Sequence, residues 1–218
     1  MNKFFLSLAL SLVSLCGFAQ FEGTVVYAIS MPDAGENAAL MAAMMPTETT
    51  IQIGKNKNRI EMKMGMGMQN VTITDKKTKE VVSLMDMMGN KMAIVLNPED
   101  MKDKTQSDLK LTTADAGDNL EIAGHKCKHA ILEDKSGMKV DVYYTDDFGT
   151  ENYSASAQDQ FKDIKGMLLK YTVAQKGMKM TLTAKSVKKE PIDDSKFIVP
   201  ADYKKVTQQE LMKMYGGK

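Results

Sequence analysis

At 218 residues, 43% of them hydrophobic, the chain is long enough for one well-buried domain and too short for two comfortable ones. A net charge of +1, from 29 basic and 28 acidic side chains, leaves no general electrostatic pull toward nucleic acid or an anionic surface. Twenty methionines beside an aromatic content of only 6% give the apolar fraction a soft, unbranched character.

The first twenty residues account for part of the hydrophobic count. Lys3 is followed by an apolar run over 4–15 and then by Gly17-Phe18-Ala19, the order of charge, hydrophobic region and small residues that marks a secretory signal peptide. The run is too short to span a bilayer, which takes about 20 residues. Cleavage is expected after Ala19 or Gln20, so 1–20 is read as signal and 21–218 as one domain, periplasmic or secreted. A lipoprotein route through Cys16 is disfavoured because the large Leu15 precedes it. With Cys16 removed, Cys127 is the one remaining cysteine and no intramolecular disulfide can form.

Residues 21–31, rich in β-branched and aromatic side chains, read as a first strand ending at Pro32. Asp33 as N-cap and Pro46 as stop frame a short helix over 36–45, with Leu40, Met41 and Met44 at helical spacing. From Thr47 the period falls to two. Strands over 49–54, 57–68, 69–74, 80–87 and 91–97, separated by polar turns, make an antiparallel meander. The strand over 57–68 stands out: Ile60, Met62, Met64, Met66 and Met68 alternate with Arg59, Glu61, Lys63, Gly65 and Gly67, so one face is almost all thioether.

Residues 99–118 are polar and aperiodic and read as a long surface loop. Strands follow over 119–134 and 138–146, then a helix over 152–164 anchored by Phe161 and Ile164, then a hairpin over 167–175 and 178–190. In its second arm Met178, Met180, Leu182 and Ala184 share a face. Residues 191–205 read as an extended tail and 207–214 as a brief helix. The expectation is a mainly β fold: one curved antiparallel sheet of ten or eleven strands, a half-open barrel with two or three short helices as its lid.

Four stretches carry a family resemblance: Gly124-His125-Lys126-Cys127, Val142-Tyr143-Tyr144-Thr145, Lys165-Gly166-Met167-Leu168-Leu169, and Phe197-Ile198-Val199-Pro200-Ala201-Asp202-Tyr203. On these the chain resembles the LolA/LolB-like lipoprotein-carrier superfamily. It looks closest to an exported domain-of-unknown-function branch related to GLPGLI-type proteins, with Gly166-Met167-Leu168 where those carry a longer signature. The resemblance implies a groove for acyl chains or another apolar ligand, and no catalysis.

A search for chemistry finds little. His125, Cys127 and His129 form H-x-C-x-H, whose donors suit zinc or copper. In an extended strand the outer two Cα atoms lie about 13 Å apart, so only a pair could share an ion. The methionine stripe offers a second metal reading, as a Cu(I) site. No activated nucleophile or phosphate loop is evident, and Asp146-Asp147 and Asp193-Asp194 read as solvated surface.

The expected function is non-enzymatic: holding or carrying a hydrophobic small molecule, or the acyl chain of a lipidated protein, without a cofactor and as a monomer. Met62, Met64, Met66, Met68, Met178 and Met180 would line the groove and Leu40, Met41 and Met44 the lid. Metal binding and a ligand-free module that engages an envelope protein are the alternatives.

Overall fold

The structure, a computed structural model, describes residues 20–31, 45–64, 68–87, 89–96, 109–149, 160–175, 178–207, 210 and 213. The helix read over 36–45, with Leu40, Met41 and Met44, lies outside these residues but for Met45, and so do Met66 and most of the helix read over 152–164.

Thirteen strands form one open sheet. They are β1 (Gly23–Ser30), β2 (Glu48–Ile53), β3 (Lys57–Lys63), β4 (Gln69–Asp75), β5 (Val81–Met87), β6 (Asn90–Leu96), β7 (Lys110–Thr113), β8 (Leu120–Ile122), β9 (His125–Glu133), β10 (Lys139–Thr145), β11 (Met167–Gln175), β12 (Met178–Lys189) and β13 (Lys204–Thr207). Their order is β13-β6-β5-β4-β3-β2-β1-β12-β11-β10-β9-β7, with β8 paired to β9 alone. The meander is therefore as expected, and β1 joins it to the second half by pairing with both β2 and β12.

The strand read over 57–68 ends at Lys63, before the turn into β4, and three further elements differ from the sequence reading. Part of the stretch read as a loop over 99–118 is β7, a short strand laddered to β9, with Leu111 packed against the main core. The single strand read over 119–134 is a tight hairpin, β8 and β9, turned at Ala123 (φ 52°) and Gly124 (φ 82°). The end of the supposed tail is β13, which runs parallel to β6 and pairs Val206 with Ile94. Two of the described residues beyond it, Glu210 and Lys213, are helical.

Strand registers assign the faces. Cross-strand partners share a face, so Tyr27, Thr49, Met62, Asn70, Met85 and Met92 form one row across six strands. The main core lies on this face, with Val25, Ile51, Val142, Tyr171 and Leu182 all buried. Phe21, just before β1, meets Phe148, just after β10, with ring centroids 4.9 Å apart. Since β12 and β11 intervene between β1 and β10, the sheet curls toward this face. A smaller core of Met92, Ile94 and Val206 continues it at the β6–β13 edge.

The opposite, convex face carries a separate buried cluster over β4, β5 and β6. There Val71, Ile73, Leu84 and Ala93 pack beneath Ile192 and Phe197 of the C-terminal segment. A 3-10 turn, Asp194–Phe197, seats Phe197, and Asp193 caps it by accepting the Ser195 N–H at 2.8 Å. Lys91 holds the segment's far end through Asp202 at 2.6 Å.

Candidate functional site

Of the methionine stripe read as one strand, Met62 lies within β3, whereas Met64 and Met68 face each other across the turn into β4. Met62 stands on the concave face of β3, opposite Thr49 on β2 and Asn70 on β4. The Met64 N–H donates to the Met68 carbonyl at 2.9 Å, closing the β3–β4 hairpin and keeping both residues in the two-residue period of Met62. All three are half-buried. On β5 and β6, Met85 and Met92 join the same row, with Met92 only 3% exposed, and Met87 follows Met85 on the same face.

The thioethers of β3, β5 and β6, with those of Met64 and Met68 at the β3–β4 turn, therefore share one concave face, with β4 supplying Asn70 between them. Sequence reasoning missed Met85, Met87 and Met92. Their alternation with Leu84, Asp86 and Lys91 carries the same signal as Met62, but the register through Asn70 is what makes them neighbours.

Among these methionines runs a polar strip. The Asn70 side-chain amide donates to Ser83 Oγ at 3.1 Å, and the Thr72 hydroxyl to Asn70 Oδ1 at 3.5 Å. An apolar face with a few convergent hydrogen-bonding groups is the lining that ligand sites use.

Met180 lies on this same face of β12 and packs, half-buried, against the main core. The Met62 row meets β12 at Ala184, so Met180 is displaced along β12 from Met62. Met178 belongs to β12, and its side chain lies outside the described residues.

Two clefts bounded by described residues open on the convex face instead. One of about 380 Å³ has an apolar floor of Ile73, Val82 and Phe197 and charged Lys57 and Lys205 at its rim. The other, of about 240 Å³, is polar, bounded by Gln52, Arg59, Glu61 and Lys63. Neither contains a methionine.

His125, Cys127 and His129 alternate along β9 and share one face, but each has a separate local role. His125 Nδ1 pairs with Asp147 Oδ2 at 2.8 Å, and its ring meets Phe148 edge-on at 4.7 Å. His129 Nε2 pairs with Asp141 Oδ1 at 2.8 Å while its ring stacks on Tyr143 at 4.6 Å and 9°. Lys170 Nζ lies 5.3 Å from the centre of that tyrosine ring.

Cys127 is 1% exposed and donates its thiol hydrogen to the His125 carbonyl. Burial pushes this thiol up to about 11, which favours the protonated thiol over the thiolate. Among the described residues no three His, Cys, Asp or Glu side chains converge as metal ligands. Asp146 and Asp147, read as solvated acids, are half-exposed and pair with Lys128 and His125.

The family described as "Domain of unknown function (DUF4412)" matches residues 21–203. The chain belongs to that family. No curated protein matches the sequence.

Among solved structures, PNGF-II is 18% identical with a TM-score of 0.52; 89% of this chain aligns, but only 33% of PNGF-II, so the chain spans about a third of that protein. An uncharacterized conserved protein of Thermus thermophilus is 11% identical with a TM-score of 0.50, covering 88% of this chain and 93% of its own. The MucA/MucB complex of Pseudomonas aeruginosa follows at 10% identity and a TM-score of 0.36, with 87% and 59% covered. At such identities the first two likenesses concern the fold alone.

The family match encloses every described methionine of the concave face, and among the described residues no helix is long and apolar enough to cross a membrane.

Proposed function

We propose that this DUF4412 domain is an exported, non-enzymatic binding module that holds a hydrophobic ligand, an acyl chain or similar amphiphile, against the methionine-bearing concave face. The observation that carries the reading is the row Met62–Asn70–Met85–Met92, in which thioethers from β3, β5 and β6 flank a hydrogen-bonded amide. Methionine is unbranched and polarizable, so such a face adapts to chains of varying shape, while Asn70 and Ser83 offer partners to a polar head. The half-open barrel and carrier role implied by the LolA/LolB-like resemblance agree with a sheet that is open and curled toward that face. Export to the periplasm or beyond rests on the signal-like pattern of residues 3–19.

The test is native mass spectrometry with lipid extraction and metal analysis on protein purified without detergent from the cells that make it. Co-purifying acyl chains are expected. The variants Met62→Glu and Met85→Glu should lose them while keeping the parent circular dichroism spectrum. An apo mass from the native source overturns the reading, and bound copper or zinc would replace it with metal binding.

A further inference from the structure

We propose that the exported chain is cut after Ala19 and that the Gln20 thereby exposed cyclises to a pyroglutamyl residue, leaving a blocked N-terminus. This rests on the export reading above: the small residues favour one of the two cleavage points, and the fold accommodates the terminus it leaves.

Gly17 and Ala19 put small residues at the positions a signal peptidase needs for a cut before Gln20. Gln20 is exposed, whereas Phe21 is only 1% exposed with its ring against Phe148. Glu22 is already tied into the body: its carbonyl accepts the Glu190 N–H at 3.1 Å and its carboxylate the Ile192 N–H at 3.0 Å. A cut after Gln20 would place the new terminal ammonium on buried Phe21, at the cost of desolvating a charge. A cut after Ala19 places it on the exposed residue next door.

An N-terminal glutamine has a route to neutrality that other residues lack. Its α-nitrogen attacks its own side-chain Cδ, the new N–Cδ bond closes a five-membered lactam, the Cδ–Nε2 bond breaks, and Nε2 takes a proton from the α-nitrogen and leaves as ammonia. The step needs no oxidant, reductant or second substrate. Its product carries no terminal charge beside Phe21 and presents no amine to an aminopeptidase.

The test uses the protein purified from the cells that make it. Free amines are acetylated before digestion, and the N-terminal peptide is then sequenced by mass spectrometry. The expected peptide starts at residue 20, is lighter than the glutamine form by one ammonia, carries no acetyl group at its terminus, and loses its first residue to pyroglutamyl peptidase. The Gln20→Ala chain should be cut at the same bond, keep the parent circular dichroism spectrum, and be acetylated at its terminus. An acetylated Gln20 or a terminus at Phe21 overturns the proposal and leaves the export reading standing. A terminus at Met1 or a lipidated Cys16 overturns cleavage after Ala19 itself, and the proposal with it.

Discussion

Tyr27 Oη donates a 2.7 Å hydrogen bond to the carbonyl of Leu168, 141 positions later and two strands away in the sheet. Both residues are fully buried, and burial holds the phenol well above its ordinary titration range, so it stays a donor at every working pH. Tyr27 thus ties the first strand to β11 across the intervening β12. Tyr27→Phe keeps the ring and withdraws the donor from a buried carbonyl. We expect a loss of about 1–3 kcal/mol, seen as a lower urea midpoint with an unchanged denaturant slope. A midpoint equal to that of the parent would show that the bond contributes nothing net.

Gly166, which leads into β11, has φ 144° and lies where an added Cβ would come within 2.5 Å of the Thr145 carbonyl oxygen. The backbone angle alone costs an L side chain about 1–3 kcal/mol. The close approach adds to this, because the atom that would have to yield is backbone of the neighbouring strand. Gly166→Ala should therefore lower the melting temperature by more than Tyr27→Phe does. Equal melting of Gly166→Ala and the parent would mean that β10 and β11 do not approach as described.

The meander of β2 to β6 was legible because each strand alternates and each turn carries its own chemistry. At one of them the Asp75 carboxylate accepts the Lys77 N–H at 2.8 Å and the Thr78 N–H at 3.0 Å. What escaped the sequence reading depends on partners far along the chain. The four residues of β7 have no periodicity of their own and exist through β9, and β13 is a strand only beside β6. The β8–β9 turn was hidden because Ala123, not an asparagine or glycine, takes the first left-handed position. The candidate site was half legible in the same sense. Met62 and Met64 announce a face by parity, but only the Asn70–Met85 and Met85–Met92 registers bring the second group of methionines to it.

Several carboxylates are held below their ordinary value by the contacts that shape the turns, which sets how the fold responds to acid. Asp75 is lowered by the Thr78 and Lys77 N–H groups, Asp134 by the Ser136 hydroxyl and the Met138 N–H, and Asp202 by its hydrogen bond to Lys91. Each is protonated less readily folded than unfolded. Its contribution is present above the ordinary value of 3.8 and is lost as pH falls below it toward the folded value. Stability measured by urea unfolding should decline with falling pH in that window. The decline should be shallower in an Asp75→Asn, Asp134→Asn double variant, and parallel curves would show that the turns carry no proton linkage.

The Cys127 thiol makes the opposite prediction at the alkaline end. Its ordinary value of 9.0 rises to about 11, first through burial and further through the negative charge of Asp147, against a partial offset from the Ile122 N–H. The folded chain therefore keeps a proton that the unfolded chain releases. Below 9 this preference is fully present; between about 9 and 11 stability falls as pH rises, and Cys127→Ala should flatten that part of the profile. Thiol chemistry checks the same burial without changing the sequence. Native protein near neutral pH should react with a disulfide reagent far more slowly than protein in urea, because both the thiolate fraction and access are low. Equal rates in the two solvents would mean that the β8–β9 hairpin opens readily over Cys127, and the alkaline loss of stability would then be absent as well.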